Sequence, residues 1–302
     1  MAIVIFCVAL VFIFRWLTRE QQDIHAYLSA LNSDTRPTAK KEQDALKLLT
    51  YIQESKRWQS IYDVTQQLQF NRKAFLAQNP EFPAKVARAF QRSKESDHRL
   101  RQYLVQVLGL VGGEEAVSVL LEALKDTDSE IVIHSMISLG RLEETRALPP
   151  LVEISQSSDR GLRQTAIFVL GNFHDPTALE RCAQALDDSD PLVQWNAAFA
   201  LARQKDARSV PILERLLDGD YVDRVAKNYM PTRSPEKNQS SHSLATFQPE
   251  RLEQYRATAI QLLGKFKDAS LRKELERVAS SDKQLKVRQA AIETLKSIKN
   301  EE

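Results

Sequence analysis

Glycine, proline and cysteine are scarce in this chain, at 8, 11 and 2 of 302 residues. So few breakers and turn formers, beside 27% charged residues, suit an all-helical chain. The two cysteines, Cys7 and Cys182, imply no disulfide framework, and a reducing compartment is compatible. Histidine occurs at five scattered positions: His25, His98, His134, His174 and His242. The sequence contains no H-E-x-x-H, no C-x-x-C and no G-x-x-x-x-G-K-[ST], so three common routes to metal, redox and phosphate chemistry have no residues to run on. His174-Asp175 is the only His–acid dipeptide, and its aspartate has the position of a helix cap. Glu114-Glu115 and Glu143-Glu144 are paired carboxylates in the inter-helix turns, where solvated caps explain them better than acid–base catalysis. Gly112-Gly113 lies in a turn between helices and is no phosphate loop. No catalytic, cofactor-binding or metal-ligating residue is assigned, and no cofactor is expected.

Repetition is what the chain has instead. Between Asp97 and Asp220 four lines stand in register: LRQYLVQVLG, IVIHSMISLG, LRQTAIFVLG and LVQWNAAFALA. Asp97, Asp128, Asp159 and Asp190 open them, and Gly109, Gly140, Gly171 and Ala202 close them. Both series step by about 31 residues, a period that marks a stacked-repeat architecture.

One repeat reads as helix, tight turn, helix. Asp159 is placed to cap the first helix by accepting an orphan backbone N–H. Leu162, Ala166, Ile167, Val169 and Leu170 then form an apolar stripe at helical spacing. Gly171 ends it, as a residue tolerant of the left-handed conformation would. Asp175 caps the second helix with Pro176 at its first position. Ala178, Leu179, Cys182 and Leu186 carry the second stripe. The second cap recurs as Glu144, Asp175, Asp206 and Asp268, and small residues recur as Ala116, Ala147, Ala178 and Ser209, where the paired helices are expected to approach closely. One unit cannot bury two stripes, but stacked neighbours can.

A capping aspartate, a hydrophobic–Arg pair, small residues and then Leu-Gly resemble the HEAT-repeat family in its short, phycobilisome-lyase-like form. The pairs are Leu100-Arg101, Leu162-Arg163, Tyr255-Arg256 and Val287-Arg288; Val132 and Gln194 depart from the arginine and Ala202 from the glycine. The resemblance covers roughly 97–220 and 251–298 and implies an all-α, α-solenoid fold. HEAT-repeat metal hydroxylases are similar in architecture and depend on repeated His-Glu pairs, which this chain lacks. The lyases of the short-repeat form attach or detach tetrapyrroles, so the resemblance also implies an alternative role as a lyase-like or chaperone-like subunit acting on a cofactor-bearing protein.

Ala2 to Phe14 is an unbroken apolar run followed by Arg15 and Trp16. Residues 1–18 reach the lower limit of a helical membrane span if Arg15 snorkels and Trp16 sits among headgroups. A cleaved signal peptide fits less well, because no Lys or Arg precedes the run and no small-x-small site follows it. One transmembrane helix is therefore expected ahead of the solenoid. Arg15 and Arg19 lie after it, which predicts a single-pass membrane protein with its soluble part in the cytoplasm.

Residues 19–96 read as a helical stalk or cap of the solenoid without the 31-residue register, with Trp58, Ile61, Val64, Leu68 and Phe70 on one helix and Val86, Ala87 and Phe90 on another. Repeats 1–4 occupy 97–220 and C-terminal repeats 251–302. Between them, 221–250 holds three prolines and polar clusters and reads as an inserted loop. As a docking arm it would offer Tyr221, Tyr229, Met230 and Phe247.

Net charge is only +2, yet 97–220 carry 20 acidic and 12 basic residues while 18–95 carry 13 basic and 9 acidic. The acidic repeats oppose nucleic-acid binding, whose affinity comes mainly from phosphate neutralisation. They favour a basic protein partner. The expected function is a membrane-anchored scaffold or adaptor that binds a protein without catalysis, through Glu122, Glu153, Glu180 and Glu214 on second helices and through Tyr229 and Phe247.

Overall fold

The structure is a computed structural model that describes residues 68–93, 98–229, 252–266 and 268–300, and every regular element among them is helical. The expected membrane span at 1–18, the stalk up to residue 67, and the segment 230–251 with Met230 and Phe247 lie outside the described residues. Among the described residues no helix is long and apolar enough to cross a membrane. The chain divides into two compact units, Met1–Ala123 and Leu124–Glu302.

The first unit contains α1 (68–78), α2 (Phe82–Arg92), α3 (His98–Val111) and α4 (Glu114–Ala123). Asn79 and Pro80 break α1 from α2, and Pro83 sits in the first turn of α2 where its missing N–H is harmless. Val86, Ala87 and Phe90 are buried as their spacing predicts. Phe75 and Phe82 meet edge to face at 5.1 Å, tying α1 to α2. Arg72 donates from Nε and Nη2 to the Val111 carbonyl at 3.1 and 2.7 Å, closing α1 over the end of α3. Phe70 departs from its expected stripe and is 76% exposed.

The second unit contains α5 (Ser129–Arg141), α6 (Leu148–Ile154), α7 (Arg160–Leu170), α8 (Pro176–Gln184), α9 (Pro191–Arg203), α10 (Val210–Arg215), α11 (Gly219–Tyr229), α12 (Leu252–Leu263), α13 (Ala269–Ser281) and α14 (Leu285–Asn300). First helices α5, α7, α9, α12 and α14 pack in series, and second helices α6, α8, α10 and α13 lie against them. Asp128, Asp159 and Asp190 each accept backbone N–H bonds two or three residues on, at 2.7–3.2 Å. Glu144, Asp175, Asp206 and Asp268 do the same for the second helices. Ala147, Ala178 and Ser209 are fully buried where the paired helices close on each other.

Two expectations are corrected. The chain from 219 to 229 is a helix rather than a loop, because Val222, Val225 and Ala226 form a short buried stripe and the three prolines all lie beyond it. Tyr221 meets Trp195 edge to face at 6.4 Å. The second correction concerns Gly171, whose φ is −64°, so it is not left-handed. A Cβ at Gly171 would stand 2.5 Å from Ala200 Cβ, and one at Gly140 2.6 Å from Val169 Cγ1. The glycines are there because the next first helix is too close for a side chain.

The left-handed residues stand three places further on, at Gly112 (φ 64°), Glu143 (φ 53°) and Lys205 (φ 59°). A side-chain-bearing residue costs about 1–2 kcal/mol there, part of which glycine gives back in chain entropy. Lys205→Gly should therefore raise stability by about 0.5–1 kcal/mol, seen as a small upward shift in thermal melting. A downward shift would show that the lysine side chain contributes more than the strain takes away.

Candidate functional site

The junction between successive repeats has one recurrent construction. Asp126, Ser157, Asp188, Asp218 and Asp282 each accept the backbone N–H two residues on, at 2.8–3.1 Å. Such turns set the entry to the next first helix. Arginine then clasps them. Arg163 directs Nη1 to the carbonyls of Ser157 and Ser158 in the turn before its helix, and Nε and Nη2 to both oxygens of Asp188 in the turn after, all at 3.0–3.1 Å. Arg256 does the same on a larger scale. It reaches the Leu216 and Leu217 carbonyls at 3.1 and 2.8 Å and pairs with Asp282. The repeat ladder therefore continues from α10 to α12 past α11 and the segment that follows it. Gln194, which replaces the arginine, still donates to the Asp188 carbonyl at 2.7 Å.

These pairs are buried enough to shift titration. The hydrogen bonds that Arg163 donates to Asp188 raise the Arg163 pKa. Burial pushes Asp282 up, but Arg256, the Gln284 N–H and Arg288 together hold it below its ordinary value. Glu144, Asp206 and Asp268 are likewise lowered, first by side-chain bonds from Arg146, Arg208 and Ser270. A depressed folded-state pKa gives stabilisation that is present above the ordinary carboxylate range near 4 and is lost as pH falls through the folded value. Melting temperature should accordingly drop in acid below about pH 4, and Asp282→Asn should lower the neutral-pH melt while flattening that drop. An equally steep acid drop in the variant would remove Asp282 from the account.

The second helices carry the sequence-named carboxylates. Glu153, Glu180 and Glu214 are exposed on α6, α8 and α10, nine, five and eight residues after their respective caps. Glu122 is exposed on α4 of the first unit. Glu180 accepts from Arg208 Nη1 at 3.1 Å, a pair that the sequence did not reveal. Arg208 also holds Asp206, Arg146 holds Glu144, and Arg181 binds the Ser155 hydroxyl and carbonyl at 2.7 and 3.0 Å. Three arginines of this layer are thus committed to caps and neighbours, while Glu153 and Glu214 make no ion pair among the described residues. Arg215 remains exposed beside Glu214. Tyr229 is the last residue of α11.

Sequence reasoning missed a cleft of mixed polar and apolar lining, about 460 Å³, bounded by Lys205, Gln261, Gly264, Lys265, Glu293, Thr294, Ser297 and Ile298. No motif marks it, because its lining comes from the turn after α9 and from two later helices. It pairs no nucleophile with a base. The one described thiol, Cys182, is fully buried and pushed up to about 12 by desolvation, so it stays protonated at neutral pH. Among the described residues no group of three or more His, Cys, Asp or Glu could hold a metal ion.

Comparison with known proteins agrees with this geometry. The family profile described as HEAT repeats matches residues 86–163, 149–228 and 249–302. A search of curated proteins finds no match. Similar solved structures include the complex of CpcE and CpcF of phycocyanin lyase from Nostoc sp. PCC7120, at 14% identity and TM-score 0.41, covering 88% of this chain and 97% of that one. Human deoxyhypusine hydroxylase in complex with glycerol is 17% identical with TM-score 0.33, covering 94% and 98%. A designed armadillo repeat protein in complex with the peptide (KR)4 is 18% identical with TM-score 0.42, covering 70% and 99%. With TM-scores under 0.5, these likenesses say nothing about what this chain binds.

Proposed function

Since the chain belongs to the HEAT-repeat family, we propose that it is a non-catalytic scaffold or adaptor whose repeats hold a protein partner near a membrane. The observation that carries this reading is the exposed face of α6, α8 and α10. Glu153 and Glu214 make no ion pair there among the described residues, Glu180 is shared with Arg208, and three arginines of the layer are already spent on internal bonds. Such a surface favours a basic segment by steering and by local complementarity. Glu122, and Tyr229 and Phe247 from the inserted 221–250 stretch, are further contacts in this reading. Residues 1–18 would serve as the anchor, with the body on the cytoplasmic side.

Charge reversal tests the surface. Replacing Glu153, Glu180 and Glu214 with lysine should weaken capture of a basic partner about tenfold or more, from roughly 0.2–1 kcal/mol at each exposed site, with unchanged melting. Undiminished capture would reject the electrostatic part. Protease treatment of intact and permeabilised cells tests topology, since digestion of the body from outside would sink the cytoplasmic placement. A chromophore travelling with the purified protein would turn the reading toward the lyase-like alternative.

A further inference from the structure

The outward face of α14 keeps the residues with which an inner repeat grips its successor. The sequence at 287–292 is VRQAAI, against LRQTAI at 162–167. In the inner repeat Arg163 binds both oxygens of Asp188, Gln164 donates to Asp190 Oδ1 at 3.0 Å, and Ile167 is fully buried. The partner of all three is one Asp-x-Asp turn, in which Asp188 shapes the entry and Asp190 caps the next helix.

Arg288, Gln289 and Ile292 are the same three positions on α14. Arg288 points Nη1 at the carbonyls of Asp282 and Lys283, at 2.6 and 3.4 Å, as Arg163 does at Ser157 and Ser158. Its Nε and Nη2 edge, which in Arg163 carries the carboxylate, meets no acceptor among the described residues. Met136, Ile167, Ala198 and Ile260 stand at the Ile292 position in earlier repeats and are 0% exposed, but Ile292 is 42% exposed. Leu285, one turn before Arg288, is 70% exposed. Leu285, Arg288, Gln289, Ile292, Lys296 and Lys299 share one helical face, and at its edge Gln289 donates one amide N–H to Glu293 at 3.0 Å, leaving its second N–H for a partner. In a stacked array such a face is the one that the neighbouring repeat covers.

We infer that this face is a stacking surface for a helical repeat of a partner protein that presents an Asp-x-Asp capping turn. Arg288 takes the first carboxylate, Gln289 the second, and Leu285 with Ile292 covers the apolar contact. The surface lies on first helix α14 and does not depend on the second-helix carboxylates proposed above.

The probe is a fluorescein-labelled synthetic peptide of residues 187–218, which carries the Asp188-Ser189-Asp190 turn with the helices that follow it. Anisotropy titration with the full chain should give saturable binding. Arg288→Glu should weaken it at least tenfold, and a peptide with Asp188→Lys should recover most of that loss against the same variant. The Arg288→Glu chain should melt within a few degrees of the native one, which separates loss of the surface from loss of the fold. To cover a peptide too poorly folded to bind alone, the segment is also joined to Glu302 by a flexible linker, which raises its local concentration to about millimolar. The joined form should melt higher than its counterpart with Asp188 and Asp190 changed to lysine. Failure of saturable binding together with identical melts would overturn the inference, as would binding indifferent to Arg288→Glu.

Discussion

Arg256→Ala is expected to destabilise the second unit by about 3–5 kcal/mol, the usual result of stripping one partner from a buried ion pair. The guanidinium is 3% exposed and its partner Asp282 only 10%. Removing it would leave that carboxylate buried without its counter-charge and would orphan the Leu216 and Leu217 carbonyls. It would also cut the link by which the repeat after α11 is held to the repeat before it. Arg163→Ala should cost less, since its own side chain is 14% exposed against 3% for Arg256. Arg288→Ala, with no carboxylate clasped, should cost least. Chemical unfolding of the three variants checks the order. Arg256→Met combined with Asp282→Leu should recover much of the loss, because an apolar pair avoids the desolvation that the ion pair bears. If the single Arg256 variant unfolded like the native chain, the junction clasp would not hold the repeats together.

Gly171→Ala should cost about 1–3 kcal/mol, near the upper end, because overpacking forces backbone to move. The new Cβ would lie 2.5 Å from Ala200 Cβ and 3.3 Å from Ala200 Cα, and neither atom can rotate away. Gly140→Ala meets only the branched side chain of Val169, which can turn, so it should cost less. Gly264→Ala meets Thr294 Cγ2 at 2.4 Å and belongs between them. Thermal melts of the three variants, read against Ala202 as the natural alanine in this register, test whether the spacing of first helices sets the glycines. Equal effects at all three sites would point back to turn conformation.

Much of the architecture was legible because it is written in local chemistry. Asp159, Asp175 and Asp190 were readable as caps, since a cap needs only its own next three residues. The Gly140 and Gly171 positions were readable, but their reason was not, because it lies 29 residues on in the facing helix. The helix from 219 to 229 was hidden by the prolines after it, and its stripe of three buried residues is too short to stand out. Glu153, Glu180 and Glu214 could be assigned to second helices, but not to a face of them, and the structure shows all three exposed. The Glu180–Arg208 pair was not legible, since it joins α8 to the turn before α10, 28 residues on.

The junction clasp left a trace that spacing alone could have shown. Arg163 and Asp188 are 25 residues apart, and Arg256 and Asp282 are 26 apart. Where Val132 replaces the arginine, Ser157 stands 25 residues on in place of the acid. The two departures are one, because a carboxylate in a half-buried turn without its guanidinium would be costly. Reading the hydrophobic–Arg pair as a family mark, and not as one half of a bond, is what concealed this.

The account's central claim is that recognition resides in the repeat body. Affinity capture from detergent-solubilised membranes, with the full chain and with a chain beginning at residue 19, tests it most directly. The account predicts the same partner from both, with the N-terminal segment only placing the repeats. A partner recovered by the full chain alone would move recognition into the first 18 residues and contradict it.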